Sequence, residues 1–455
     1  MTHACPRRLR GRAATATAAG ILVIPLLATA SFTAGPAAAA PAARTSPAGA
    51  AAPFPPPART GAPPPGQLPS RPASPPPSPY ASASPSPSGS ASEVRTLTPA
   101  VVRQLDRAVR RVQREANVPG VIVGLWTPGQ GQYVKSFGVA DRSTGRKMSA
   151  DLYMRIGSET KTFTVTALLR LVDRHRVGLD DPVGKYVDGV PDGGRITLRE
   201  LAGMRSGLFN YSEDDGFRKA FTSDPRRPFT PRQLLAYAFR HPVLFPPGRK
   251  FDYSNTNLIL LGLVIEKVSG RSLADCIRAN VLGPAGLRHT LFPAGAEFPE
   301  PHAQGYTDQT ANGRTADTAG WNPSWGWAAG AMISDLDDLR VWARTVATGV
   351  LPDGRALVSP ATQKQRLTTP PTSVPGAAYG LGIFAVHGWI GHNGSLPGYE
   401  SLTVYLPAAR TTLVVLLNTD TGHQGAEPST LFGRAVTGIV TPRHVFDLPA
   451  QPAAR

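Results

Sequence analysis

Ser158 and Lys161 lie three residues apart in Gly157-Ser158-Glu159-Thr160-Lys161, the one Ser-x-x-Lys in the 455-residue sequence, at the start of an apolar helical stretch. On a helix that spacing puts both side chains on one face. A lysine whose pKa is lowered by burial or neighbouring charge can accept the hydroxyl proton, and a helix N-terminus favours the developing alkoxide, so the pair suits nucleophilic attack on a carbonyl carbon. The same spacing also suits a helix-capping serine with a surface lysine one turn on.

Tyr253-Ser254-Asn255, the one Tyr-x-Asn, follows Pro246-Pro247-Gly248 and opens another apolar helix. A phenol beside lysine cations can lose its proton and act as general base, while the Asn255 amide can hold a substrate carbonyl or the lysine. The structural alternative is a packed tyrosine with Asn255 or Thr256 as a helix cap. Gly391-His392-Asn393-Gly394-Ser395 falls between two apolar runs, where glycines let backbone approach a ligand and an N–H can point into a cleft. His423-Gln424-Gly425 has a similar His-x-Gly pattern but lacks the strand setting and reads as a loop.

These groups need a scaffold. Thr98-Pro99 is an N-cap and first helical position for a helix running to about Ala116. Val121 to Trp126 and Tyr133 to Val139, separated by Pro128–Gly131, read as a hairpin. Between about 158 and 346 the pattern is helical, with segments at Phe163 to Arg174, Pro231 to Phe239 and Asn257 to Ser269, the last ended by Gly270, and a helix capped by Ser334. Strands return at Tyr379 to Val386, Tyr399 to Leu406 and Thr411 to Asn418, before a helix at Ser429 to Val440. The expected fold is α+β: one antiparallel sheet built from both chain ends, flanked by helices, with a mainly helical subdomain inserted and a cleft between them.

In this order the three motifs resemble the penicillin-recognising serine hydrolases, specifically class C β-lactamases and D-alanyl-D-alanine carboxypeptidases, which use Ser-x-x-Lys, Tyr-x-Asn and Lys/His-Thr-Gly. Leu201-Ala202-Gly203-Met204-Arg205-Ser206-Gly207-Leu208 and Ser395-Leu396-Pro397-Gly398-Tyr399 extend the similarity, which covers about residues 98 to 440. The resemblance implies Ser158 as acyl-accepting nucleophile, Lys161 as its activator, Tyr253 as general base and His392 as orienting Tyr253 and the substrate. It further implies Asn255 as a substrate amide contact and the backbone N–H groups of Ser158 and Ser395 as oxyanion hole, with Asn393, Gly394 and Ser395 lining the substrate site. Asn393 stands where the family has a hydroxyl that holds a substrate carboxylate, so its amide N–H is expected to face that carboxylate. The function implied is an acyl-enzyme hydrolase, foremost a D-alanyl-D-alanine carboxypeptidase acting on peptidoglycan peptides, with a class C-like β-lactamase or an esterase of the same fold as alternatives. A non-catalytic peptidoglycan-binding module is the reading from another class. No cofactor and no metal is expected.

Other enzyme classes lack their motifs: there is no Gly-x-Ser-x-Gly elbow and no His-Glu-x-x-His. Arg7, Arg8, Arg10 and Arg12 precede an uncharged apolar run with small residues at Ala38 to Ala40, the layout of a cleaved export signal over residues 1–40, with a retained membrane anchor as the alternative. Residues 41–93 hold 17 prolines among alanines and serines and read as a solvated linker. The hydrolase domain is expected at 94–441 and a C-terminal tail at 442–455. Removing Cys5 with the signal leaves Cys276 alone, so no internal disulfide forms. The net charge of +17 has no Lys/Arg cluster and no nucleic-acid motif with it; anionic cell-wall polymers are the better match, and a secreted or wall-associated monomer is expected.

Overall fold

Thr98 and Pro99 do what their types favour. The Thr98 hydroxyl accepts from the Val101 amide, Pro99 takes the first helical position, and α1 (Pro99–Glu115) turns Val101, Leu105, Ala108, Val109 and Val112 to the core. The next two apolar runs form β1 (Gly120–Thr127) and β2 (Gly131–Gly138), an antiparallel hairpin. The structure, a computed structural model, describes residues 94–449, so the expected export signal and linker lie outside the described residues.

The helical part carries α2 (Thr160–Asp173) packed on α3 (Asn255–Ser269), which Gly270 ends in a left-handed conformation at φ 68°. The expected helix at 231 is found at Pro231–Ala238. One cap differs: Asp335, not Ser334, caps α4 (Leu336–Thr348), its carboxylate accepting the Asp338 amide, while Ser334 lies in a short bridge with Met154. A carboxylate satisfies an orphan N–H and the helix dipole together, which a hydroxyl does less well.

The returning strands are β3 (Ala377–Tyr379), β4 (Phe384–Val386), β5 (Trp389–Leu396), β6 (Tyr399–Leu406) and β7 (Thr411–Leu417). They join β1 and β2 in one seven-stranded antiparallel sheet of order β2-β1-β7-β6-β5-β4-β3, so the chain's two ends meet where β1 pairs β7, Val121 opposite Leu417. Two expectations change. Tyr379 to Val386 is two short strands rather than one, and Gly391–Ser395 is not a connection between strands but the body of β5, paired along its length with β6.

Alternation along β6 assigns the faces. Leu402 meets Gly433 of α5 (Pro428–Val440), while Ser401 bonds the turn before α2 and Tyr405 packs on Ala343 and Ala347 of α4. Among the described residues, Cys276 is buried and free, and no helix is long and apolar enough to cross a membrane.

The segment after Thr441 is not wholly a tail. Phe446 is fully buried against Gly433, its amide is bonded to Thr437 Oγ1, Trp389 Nε1 donates to the His444 carbonyl, and Arg434 pairs with Asp447. The packed domain therefore extends to about Leu448. Phe446→Ala should lower unfolding stability by about 3 kcal/mol through a cavity under α5; urea titration with an unchanged slope checks it, and an effect below about 0.5 kcal/mol would restore the tail reading.

Candidate active site

The residues ahead of α2 form a tight turn, Gly157–Glu159, pressed against β5. Two glycines permit the approach. Gly157 sits at φ +50°, and a Cβ there would lie 2.7 Å from the Ser395 amide nitrogen; a Cβ on Gly394 would lie 1.9 Å from the Ile156 carbonyl oxygen. The turn delivers Ser158 to a cleft and sends Lys161 into the interior.

Lys161 is completely buried, which excludes a surface lysine, and its Nζ lies 2.8 Å from Ser158 Oγ and 2.8 Å from the Ala329 carbonyl oxygen. Burial, with no carboxylate offsetting it, holds its pKa well below the ordinary lysine value. An uncharged amine that donates one N–H to Ala329 keeps its lone pair for the Ser158 proton. Beside it the Glu159 carboxyl is buried near Ser401 and Thr403 of β6, and burial raises its pKa to about 8, so it adds no negative charge behind the nucleophile at neutral pH.

Tyr253 reaches the cleft from a loop that the 201–208 segment holds in place. Leu244 N donates to the Gly207 carbonyl, Gly248 N to that of Arg205 and Asp252 N to that of Met204, while Ser206 Oγ donates to Asn257 Oδ1 of α3. The Tyr253 ring lies under the lysine, 4.9 Å from centroid to Nζ. The expected ionised phenol is not what these surroundings favour: burial and the Glu427 charge raise the Tyr253 pKa, and the Ser158 hydroxyl only partly offsets this. A neutral lysine supplies no cation to stabilise a phenolate, so Tyr253 keeps its proton and stands as a donor.

His392 makes neither of its ring bonds to Tyr253. Nδ1 faces the Asn393 carbonyl oxygen, which can only accept, so Nδ1 carries the hydrogen and Nε2 accepts from the Tyr379 hydroxyl at 3.1 Å. Burial depresses its pKa to about 3, leaving a neutral imidazole packed between Tyr253, Tyr379 and Phe384. Its expected orienting of Tyr253 is thus by ring packing alone. Asn393 also departs from expectation: its Nδ2 donates to Glu427 Oε2 at 2.6 Å, so one of its two amide hydrogens is already committed. Asn255 lines the cleft as expected, its Nδ2 donating to Ser212 Oγ at 3.3 Å and its backbone N–H bonded to Asn210 Oδ1.

Ser158, Tyr253, Asn255, Asn393 and Ser395 share the cleft with Tyr211, Trp325, Leu396 and Glu427. Gly394 faces away from it, toward Ile156 and Ser401. Sequence reasoning missed Tyr379 and Glu427. The signal for Glu427 was an acid directly before Pro428 at the start of the last helix, the position where a carboxylate suits a helix N-terminus. Away from the cleft, His289, Asp335 and Asp338 gather within 4.8 Å. Both carboxylates already accept protein hydrogen bonds, from His289, Thr290 and the Asp338 amide.

A family model described as Beta-lactamase matches residues 105–436. A D-stereospecific amidohydrolase from Streptomyces sp. is similar in structure with a TM-score of 0.64 at 31% identity, over 74% of this chain and 97% of that one. A D-amino acid amidase from Ochrobactrum anthropi SV3, complexed with L-phenylalanine amide, gives 0.63 at 26%, over 76% of this chain and 96% of that one. A D-aminopeptidase of Brucella anthropi is 29% identical over 325 residues, 70% of this chain and 59% of the relative, so the chain spans about three-fifths of the curated relatives of that description. A putative penicillin-binding protein of Bacillus subtilis is 25% identical over 62% of this chain and 66% of its own length.

The two-glycine contact predicts a steep cost for one methyl. Gly394→Ala should push the Ser158 turn off β5 and reduce acylation of Ser158 by about 100-fold or more, since misplacing a nucleophile by about 1 Å costs that much. Stopped-flow acylation beside a thermal melt checks it; a folded variant acylating within threefold of the parent would show the contact to be slack.

Proposed function

The chain belongs to the beta-lactamase family of serine hydrolases, and from that premise we propose that it hydrolyses small amides or peptides of D-configured, apolar residues through an acyl-enzyme on Ser158. The observation that carries the chemistry is the fully buried Lys161 bonded to Ser158 Oγ, its pKa held well below the ordinary lysine value by that burial. The D-stereospecific amidohydrolase and D-amino acid amidase among its structural relatives support the substrate class, and the Tyr211, Trp325 and Leu396 walls offer an apolar side chain a fit.

In this reading Lys161 takes the Ser158 proton as Oγ attacks the scissile carbonyl, and the N–H groups of Ser158 and Ser395 hold the oxyanion. Tyr253 donates its proton to the leaving nitrogen and regains one from Lys161. Water then cleaves the ester along the same path in reverse. Asn255 contacts the substrate amide, and His392 keeps the Tyr253 wall in place. The arginine-led leader and proline-rich stretch support export to the cell surface.

A D-alanyl-D-alanine carboxypeptidase is the second reading, favoured by the penicillin-binding relative. Purified residues 94–455 assayed on D- and L-phenylalanine amide and on a D-Ala-D-Ala peptide separate the two: we expect turnover of the D-amide, little of its mirror image and less of the peptide. Turnover of the peptide alone would establish the second reading. Ser158→Ala should abolish acylation without unfolding the domain.

The pH profile follows from Lys161. A base must be deprotonated, so kcat/KM should rise as pH increases through its depressed pKa and level off well below the ordinary lysine range near 10.4. Tyr253→Phe should lower kcat by about 10² to 10⁴ with the acidic limb in place, because the lysine and not the phenol sets it. Loss of that limb on the tyrosine substitution would return the general-base role to Tyr253.

A further inference from the structure

Glu427 is a carboxylate in the cleft, on the chain that leads from the far end of the sheet into α5. One of its oxygens accepts the Asn393 amide at 2.6 Å, and Asn393 lies two residues before Ser395 on the strand that faces Ser158. Behind it Glu400, directly opposite Ser395 on β6, is fully buried and accepts the Ser429 amide at 2.8 Å. We propose that Glu427 is a specificity residue that rejects substrates bearing a carboxylate next to the scissile bond and admits those offering an N–H or a cation there. This rests on the proposed hydrolysis of D-amides and deepens it by naming the chemistry of the accepted leaving group.

The Asn393–Glu427 contact in the cleft carries the inference. One of the two Asn393 amide hydrogens is taken by Glu427, so a substrate carboxylate that approached the other would lie beside an acceptor. A substrate carboxylate entering there would meet the Glu427 carboxylate in a site walled by protein, where like charges repel far more than in water. A primary amide or a peptide N–H finds an acceptor in the same place.

The buried Glu400 and the half-buried Glu427 together determine where the negative charge rests. Burial raises both pKa values, that of Glu400 well above the carboxylate range with the Glu427 charge adding to it, while the Asn393 bond lowers that of Glu427. Glu400 is therefore the member that holds a proton, and the charge stays on the member that lines the cleft. The lysine side contributes no compensating cation, since Lys161 and His392 are both held neutral.

The test uses substrate pairs that differ only in the carboxylate: D-phenylalanyl-D-alanine against its C-terminal amide, and benzylpenicillin against its methyl ester, the second pair scored as acylation of Ser158. The parent enzyme should favour the uncharged member of each pair by at least about tenfold. Glu427→Gln, which keeps the shape and can still bond Asn393, should shrink that preference to threefold or less, while Asn393→Ala, which leaves the carboxylate in place, should retain it. A parent without preference, or a Glu427→Gln variant with the parent's preference, overturns the proposal. If Asn393→Ala loses the preference as fully as Glu427→Gln, the effect is loosening of the cleft and the proposal also fails. Failure to cleave either D-phenylalanine peptide, with the penicillin pair still discriminated through Glu427, would remove the substrate reading and leave the role of Glu427 standing.

Discussion

An amine held dry and uncharged against a serine hydroxyl is the constraint around which the rest of the structure is arranged. Full burial of a charged ammonium would cost several kcal/mol, so the interior keeps Lys161 deprotonated, and only a fully enclosed α2 gives that much enclosure. Eleven of its fourteen residues are buried, so the helix is covered by β5, by α3 and by the Trp327–Gly330 segment that supplies the Ala329 carbonyl. Any loosening that let water reach Nζ would restore its proton and remove the base. Core packing and chemistry are here the same requirement.

The two sides of the cleft have opposite electrical character. Around Ser158 burial favours the uncharged forms of the amine, the imidazole and the phenol, the last also under the influence of Glu427. Protons can then circulate among Ser158, Lys161 and Tyr253 with only brief charge separation, stabilised where the oxyanion forms by backbone dipoles that need no reorganisation. Across the cleft one carboxylate retains charge, held by an amide from the strand and placed at the start of a helix.

Much of this was legible in the sequence where the signal was local. Ser158 and Lys161 announce themselves by a unique spacing that a helix converts into contact, Thr98-Pro99 fixes a helix start, and Gly270 fixes an end at a left-handed backbone position. What escaped depends on partners far along the chain. Gly391–Ser395 reads as a loop because its glycines carry no strand propensity; Gly394 is there because the Ile156 backbone, more than 230 residues earlier, crosses against it, and Gly391 because the Thr403 carbonyl of β6 does. Asn393 looks like a donor awaiting a substrate until Glu427, 34 residues on, is seen to take it. His392 looks catalytic by residue type, and only the Tyr379 hydroxyl and the Asn393 carbonyl reveal its tautomer and its neutrality. Tyr253 was expected to ionise beside a cation, and the burial that raises its pKa depends on packing that no local motif reveals.

The join between β1 and β7 bears on how such a molecule comes into being. Val121 pairs with Leu417, and the nucleophile turn rests on a strand that begins at Trp389, so the sheet and the reactive geometry both wait for segments made last. The central strand pairing must close a loop of nearly three hundred residues, and α4 of the helical part also packs on β6 and β7. A nascent chain consequently has Ser158 and Lys161 but no strand against which to set them. Hydrolytic competence arrives in one late step, and until then the unpaired edges of β1 and β6 are where one chain would adhere to another.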